Sequence, residues 1–383
     1  MLAKMMRDHL VGKILPFWQA LRDEQRGGFV GYVDESLTPN LDAHKGCILH
    51  SRILWSFSTA ARVLKASAYL DDAEHAYRFL KQFVDEEFGG VYWSVTADGR
   101  PLDTTKHTYC QAFAIYGLAA YARATGQQEP LEQAMGLMRL LEERCRDADG
   151  YGEAYQRDFS PESNEKLSEN GVLAQRTMNT LLHVIEAYTE LYRATGNAQV
   201  RALVAEGLKI AQRKLFNPDK ARLDVFFDNE YRSLIDMQSY GHDIEASWLL
   251  WDAAEATGEE IGTYRCMCLR LADSVLLRAL TKNGLRNERV NDVNDETRVW
   301  WVQAEGVIGF LNAYQLSGEE RYLRAFEQQW AYIQRAIVDP RPGGEWYWSV
   351  QPDGKPTCKP IVEEWKCPYH NSRMCLEVIG RAG

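Results

Sequence analysis

Six short stretches rich in glycine and aromatic residues recur along this chain at nearly constant spacing. They are GGFVGYVD from Gly27, GGVYWSV from Gly89, DGYGEAY from Asp149, ARLDVFF from Ala221, NGLRNERV from Asn283 and GGEWYWSV from Gly343. Measured between Gly28, Gly90, Gly150, Leu223, Gly284 and Gly344, the intervals are 62, 60, 73, 61 and 60 residues. The second and sixth also share a continuation, WSVTADGRP from Trp93 and WSVQPDGKP from Trp348. A fixed period of this length means one structural unit packed against copies of itself.

Between the extended stretches the pattern becomes helical. The segments Ile48–Leu64, Gln111–Ala124, Leu173–Ala194, Ile244–Ala256 and Val299–Leu316 are apolar over most of their circumference. Four of them run into Thr125-Gly126, Thr195-Gly196, Thr257-Gly258 and Ser317-Gly318, where glycine suits a left-handed helix cap. A second helix with one charged side follows each, as at Leu131–Arg144 and Glu319–Ala336. All-round apolar helices alternating with one-sided ones imply an inner and an outer layer. With an outer helix from Leu2 and an inner one from Pro368, the expectation is twelve helices in six pairs. That is an all-α (α/α)6 barrel, one catalytic domain over residues 1–383, with short extended stretches at the cavity rim. An open helical solenoid is the alternative.

Composition removes several classes of function. A net charge of −10 and a pI near 5.4 leave no basic surface for nucleic acid. No apolar run approaches the roughly eighteen residues of a membrane span. The N-terminal MLAKMMRDHLVGKILPFWQAL carries charges every few positions and reads as an amphipathic helix, not a signal peptide. The eight cysteines lack paired spacing, which predicts free thiols in a reducing cytoplasm. The expected form is a cytoplasmic monomer without cofactor or metal.

Unusual polar residues gather at the starts of the inner helices. The first carries Arg52 in LHSRILWSFS; the second opens with His107 and Tyr109; the third has Asn179 and His183, four apart on one face. The fourth has His242 and Glu245 in SYGHDIEASWLL, and the fifth has Trp300, Trp301 and Glu305 in RVWWVQAEG. The sixth is EEWKCPYHNSRM from Glu363, with Trp365, a helix-start Pro368, His370 in the first turn and Arg373 three residues on. Each alone reads as a satisfied core group or a solvated one. Their recurrence at equivalent positions points to one cavity.

Three histidines, two glutamates, an arginine and several tryptophans suit a neutral polyhydroxylated ligand, since aromatic faces cover sugar C–H surfaces and amides and carboxylates bind hydroxyls. Histidine moves protons near neutral pH. Glu245 and Glu305 could instead serve as a glycosidase pair, though the histidines would then have no task. A metal held by His183, His242, Glu245 and His370 is a further alternative, disfavoured by spacing. A sugar-binding protein without catalysis is another.

The segments SRILW from Ser51, LSENG from Leu167, TMNTLLHVIEAY from Thr177, SYGHDIEASWLL, WWVQAEG and WKCPYHNSRM resemble the cellobiose branch of the N-acylglucosamine 2-epimerase superfamily. The resemblance runs from about Gly27 to Glu377. It implies an (α/α)6 barrel and metal- and nucleotide-independent inversion at C2 of a reducing-end glucose or mannose in a β-1,4-linked disaccharide. Mannose 2-epimerases and aldose–ketose isomerases share the histidines. The same resemblance implies His370 and His242 as the acid/base pair, with Arg52 and His183 stabilising charge on O1 and O2. Glu245 would orient His242 or hold a hydroxyl. Tyr109, Asn179, Trp300, Trp301, Trp365 and Glu305 would bind the sugar, with the facing member of each close tryptophan pair left open.

Overall fold

The computed structural model describes residues 2–382. The chain opens with α1 (Leu2–His9), which runs through a π-helical turn at Leu10–Ile14 into α2 (Leu15–Gln19). Five helical pairs follow: α3 (Cys47–Leu64) with α4 (Tyr69–Leu80), α5 (Thr108–Thr125) with α6 (Gln128–Arg144), and α7 (Met178–Thr195) with α8 (Ala198–Ile210). Then come α9 (Tyr240–Thr257) with α10 (Ile261–Arg278), α11 (Trp300–Ser317) with α12 (Glu320–Tyr332), and finally α13 (Tyr369–Ala382). The odd-numbered helices from α3 pack each on the next, and α13 packs on both α11 and α3. The ring is therefore closed, and the solenoid alternative fails. Helix α1 lies on α13, so the sixth pair joins the two ends of the chain. This is the expected (α/α)6 barrel.

The first five inner helices are each 18 residues long, which keeps both ends of the ring level. Four end at the expected glycines, Gly126, Gly196, Gly258 and Gly318, all at positive φ. Close packing inside the ring has its own sequence cause. A Cβ on Gly117 of α5 would stand 2.6 Å from the Ser51 carbonyl oxygen of α3, so no larger residue fits at that crossing.

Extended stretches are tied to the ring by a repeated device at the fourth residue of an inner helix. His50, Gln111, Asp243 and Gln303 accept the backbone N–H of Phe29, Val91, Leu223 and Leu285 at 3.0, 2.7, 2.8 and 2.9 Å. Each such bond satisfies a buried backbone donor of the glycine-aromatic turn. The strands are two or three residues long, and Lys45–Gly46, Lys106–His107, Arg176–Thr177, Met237–Ser239 and Arg298–Val299 immediately precede their inner helices.

Several boundaries differ from the sequence reading; the second inner helix, for one, begins at Thr108, three residues before Gln111. The third inner helix begins at Met178, not Leu173: Leu173 is exposed, Arg176–Thr177 pairs with Phe226–Phe227, and the Thr177 hydroxyl caps the Thr180 N–H at 3.1 Å. The fourth begins at Tyr240, a turn before Ile244, directly after the strand that ends at Ser239. Pro368 lies just outside α13. The long third interval is spent in an irregular rim segment at 156–175, which reaches over the ring.

Candidate active site

A helix returns to one face after three or four residues, so the second and sixth residues of helices starting at one rim share the axis-facing side. The second residues include Tyr109, Asn179, Trp301 and His370; the sixth include Arg52, His183, Glu245 and Glu305; His242 is third in α9. One register therefore accounts for most of the expected site. Arg52, Tyr109, Asn179, His183, His242, Glu245, Trp300, Trp301, Trp365 and His370 line one cavity of about 210 Å³. It adjoins an outer cavity of about 440 Å³ and shares Leu167, Glu169, Asn179, His242, Trp301 and Trp348 with it.

The three histidines are held by one nitrogen each. His370 Nδ1–H donates to Glu305 Oε1 at 2.7 Å, and His183 Nδ1–H donates to Glu186 Oε2 at 2.8 Å. His242 Nδ1 meets Ser239 Oγ at 2.7 Å. The Nε2 atoms of all three have no protein partner among the described residues, so each ring keeps one nitrogen for a ligand. Burial lowers His242 to about 3, helped by nearby His183. Burial first, then the Arg373 and Arg52 cations, hold His370 well below its ordinary value. Both are neutral imidazoles at neutral pH. Trp301 touches both rings, with centroids 4.8 Å from His242 and 5.3 Å from His370.

Arg52 is buried without a carboxylate. Its Nη2 donates to Tyr109 Oη at 2.8 Å, its Nη1 lies 3.8 Å from Cys367 Sγ, and its guanidinium rests 4.1 Å from the Phe113 ring centre. Arg52 Nε, Asn179 Oδ1 and Glu245 Oε2 are buried polar atoms without a protein partner. All three belong to cavity residues, and buried polar groups left open in this way mark where a ligand is accepted. Burial, reinforced by Glu305, pushes Glu245 up to about 7 against the pull of Arg373.

The structure corrects two expectations and narrows a third. Glu305 does not line the cavity: it is fully buried one turn below the mouth. Its Oε1 accepts from His370 and from Arg373 Nη2 (2.6 Å), and its Oε2 accepts from Trp248 Nε1 (2.9 Å). Glu245 does not orient His242, because its Oε1 is turned to Arg373 and Ser239 takes that place. Of the close tryptophan pairs, Trp300 and Trp301 both line the inner cavity, and Trp348 but not Trp346 lines both cavities. Trp300 is almost wholly buried and edge-on to His370, and Trp346 is buried with its Nε1 donating to His9 at 2.9 Å. His107 is structural, bonded to Asn164 at 3.0 Å.

Sequence reasoning named Arg373 without giving it a role and passed over the rest of the floor of the site. Glu186, Tyr369 and Arg373 lie beneath the histidines, with Arg373 wholly buried. The Glu245, Glu305 and His370 donor atoms lie within 4.8 Å of one another, a spacing that suits a metal ion. The cation set among them is the Arg373 guanidinium, whose Nη2 donates to both carboxylates. Lys166, Leu167 and Glu169 from the long rim segment also line the cavity, and the LSENG motif was their signal.

Comparison with known proteins places this geometry. The sequence profile described as N-acylglucosamine 2-epimerase (GlcNAc 2-epimerase) matches residues 17–372. The chain belongs to that family. It is 49% identical to the cellobiose 2-epimerase of Eubacterium cellulosolvens, over 97% of this chain and 96% of that one. The structure of the cellobiose 2-epimerase from Bacillus thermoamylovorans B4167 superposes with a TM-score of 0.97 at 46% identity, covering 99% of each chain. A sugar epimerase from a ruminal bacterium gives a TM-score of 0.98 at 46% identity over the whole of both chains. Within the family, the open Nε2 atoms and the carboxylate-free arginine are the features available for chemistry on a sugar.

Proposed function

We propose that this protein inverts C2 of the reducing-end glucose or mannose of a β-1,4-linked disaccharide, converting cellobiose to glucosyl-mannose. The carrying observation is that His242 and His370 share Trp301 as a neighbour at the cavity mouth while each keeps one imidazole nitrogen free. A C2 hydrogen is acidic only in the open-chain aldehyde, where its removal yields an enediolate. Inversion then needs a proton taken from one face by a neutral imidazole and another returned to the opposite face by an imidazole that has first taken up a proton from the medium. One histidine is thus the base while the other is the acid, and the roles exchange in the reverse direction.

Arg52, unpaired by any carboxylate, is placed to hold the negative charge that develops on O1 and O2, with His183 beside it. Glu245 offers its free Oε2 to a hydroxyl. Tyr109 and Asn179 bind the reducing-end ring, Trp301 and Trp365 cover its apolar faces, and the outer cavity beside Trp348 takes the second sugar. The hydrolase alternative loses support, because both oxygens of Glu305 are committed inside the protein. No helix among the described residues is long and apolar enough to cross a membrane, and a cytoplasmic monomer is the form we infer.

Incubation with cellobiose, followed by NMR of the reducing-end anomeric signals, tests the reading. Mannose-type anomeric signals with the glycosidic bond intact are expected. Free glucose would make the protein a hydrolase, a ketose product an aldose–ketose isomerase, and an unchanged spectrum a binding protein.

A further inference from the structure

Two of the three cavity histidines are backed by glutamates, and one guanidinium holds both glutamates. His183 Nδ1–H donates to Glu186 Oε2 at 2.8 Å, and Glu186 Oε1 accepts from Arg373 Nη1 at 2.5 Å. On the other side Arg373 Nη2 donates to Glu305 Oε1 at 2.6 Å, the same oxygen that accepts from His370 Nδ1–H at 2.7 Å. Helices α7, α13 and α11 are thus joined as His183–Glu186–Arg373–Glu305–His370. Glu245 of α9 joins through its Oε1, bonded to Arg373 Nη2, which leaves Oε2 for the cavity.

We propose that Arg373 is the positioning residue of this site, a single cation that holds Glu186, Glu305 and Glu245 in place as hydrogen-bond acceptors, opposes their neutralisation by burial, and so sets the tautomers of His183 and His370 together. The inference deepens the epimerase reading and rests on it for its kinetic arm. A planar fork with donors on two edges can span carboxylates on different helices, and an ammonium cannot. Without the cation, three buried carboxylates would keep only Arg52, which rests on the same Tyr369 ring as Arg373, as an arginine neighbour, and burial would favour their neutral forms. A protonated Glu305 would no longer be a charged acceptor for His370 Nδ1–H, and the open Nε2 would lose its definition. The Glu186 carboxyl shows the effect: burial works to raise it, yet Arg373 and then the His183 hydrogen bond bring it down to about 2.

The sign of the pH effect follows from the groups around His370. Arg373 on its own helix, Arg52 from α3, His183 from α7 and His242 from α9 disfavour its protonation. Glu186, Glu245 and Glu305, from α7, α9 and α11, favour it. The phenols Tyr109, Tyr116 and Tyr369 are pushed up by burial and stay neutral. Removing Arg373 therefore raises the pH at which the coupled His370–Glu305 pair takes up its proton, whichever of the two carries it.

The test uses Arg373→Met and Arg373→Lys in the full chain. For Arg373→Met we expect the acid limb of kcat/KM to move up by at least about one pH unit, with turnover reduced. For Arg373→Lys the charge stays and the limb holds, while kcat falls at least about tenfold because one ammonium cannot bridge Glu186 and Glu305. ¹⁵N NMR of the histidines, run without substrate, is expected to show Nδ1–H tautomers at His183 and His370 in the native protein and mixed tautomers in Arg373→Lys. If Arg373→Met does not fold, the lysine variant and its tautomers decide. An unmoved acid limb in a folded Arg373→Met, or native tautomers and native kcat in Arg373→Lys, would overturn the proposal. The NMR arm stands whatever the sugar proves to be, so failure of the relay and failure of the substrate reading are separable.

Discussion

Replacing Glu305 by glutamine keeps the volume of the side chain and removes its charge. In the native protein Oε1 accepts from Arg373 at 2.6 Å and from His370 at 2.7 Å, while Oε2 accepts from Trp248 Nε1 at 2.9 Å. An amide has one acceptor and one donor end. With its oxygen toward Arg373 and His370, its NH₂ meets the Trp248 N–H; turned round, the NH₂ meets Arg373 and His370. Either orientation sets a buried donor against a donor, at about 1–3 kcal/mol. Arg373 also loses one of three counter-charges, and breaking a buried ion pair costs about 3–5 kcal/mol when no other partner remains. Glu186 and Glu245 do remain, so the terms do not simply add, and we expect a total of about 3 kcal/mol in the free energy of unfolding by urea. On activity, kcat should fall by about 10²–10⁴ as His370 loses its carboxylate, with KM little changed because Glu305 does not touch the cavity. The Trp248→Phe background isolates one part of the argument. With the indole donor gone, the double variant should be more stable than the sum of the singles by about 1–3 kcal/mol. Native stability and native kcat with a raised KM would refute this account and return Glu305 to the substrate.

Three further outcomes are expected. His370→Asn and His242→Asn should each lower turnover by about 10²–10⁴, and a variant that still exchanges C2–H into recovered substrate in D2O without forming epimer has kept one base and lost the other; near-normal epimerisation by His242→Asn would exclude the two-histidine scheme. Trp348→Ala should raise KM for cellobiose by about tenfold, near 1.4 kcal/mol, and leave free mannose unaffected; equal effects on both sugars would remove Trp348 from the outer subsite. Burial lowers His50 from 6.5 to about 3, so the unfolded chain binds the extra proton: its share of stability is complete above pH 6.5 and is withdrawn as pH falls toward 3, at up to about 1.4 kcal/mol per unit. His50→Gln, which copies the anchors Gln111 and Gln303 at the same helix position, should therefore unfold at lower pH than the native chain in circular dichroism titrations, and an unchanged acid midpoint would count against it.

The period was legible because most repeats mark themselves with a glycine turn before the inner helix, a glycine cap after it, or both; ARLDVFF lacks the turn glycine and Lys65 caps the first inner helix. The cavity was legible for a related reason: Arg52, His183, Glu245 and Glu305 share the sixth place of their helices, and that coincidence survives without coordinates. Helix starts were less legible. Leu173 belongs to an apolar run, yet strand pairing at Arg176–Thr177 and the Thr177 cap delay the helix to Met178. Least legible was which polar side chains pair with each other. Glu186 sits in HVIEAY, indistinguishable from a solvated helix glutamate, and Arg373 reads as a surface arginine until α7, α9 and α11 close around it. Their partners lie 187, 128 and 68 residues away in sequence, so no local pattern announces them. The same distance hid the difference between Glu245 and Glu305, which the helix register makes equivalent and the neighbouring Trp248 and His370 do not.

The two buried arginines show why that pairing matters for chemistry. Arg373 is surrounded by three carboxylates and stacks 4.1 Å from the Tyr369 ring centre, so its charge is spent inside the protein. Arg52, little more than one helix away around the ring, has only a phenol and a thiol as partners. In a low-dielectric site an unpaired cation is costly in the empty protein and becomes favourable when an anion arrives. A neutral disaccharide brings no anion in its resting form; the charge appears only when C2 is deprotonated. On the proposed mechanism Arg52 is matched to the enediolate and not to the substrate, which is the condition for binding energy to lower the barrier instead of KM. The carboxylates that would have paired with Arg52 in an ordinary core are drawn to the floor by Arg373. On that proposal the division of roles between the two arginines, more than either alone, gives the cavity its preference for charge that develops during reaction.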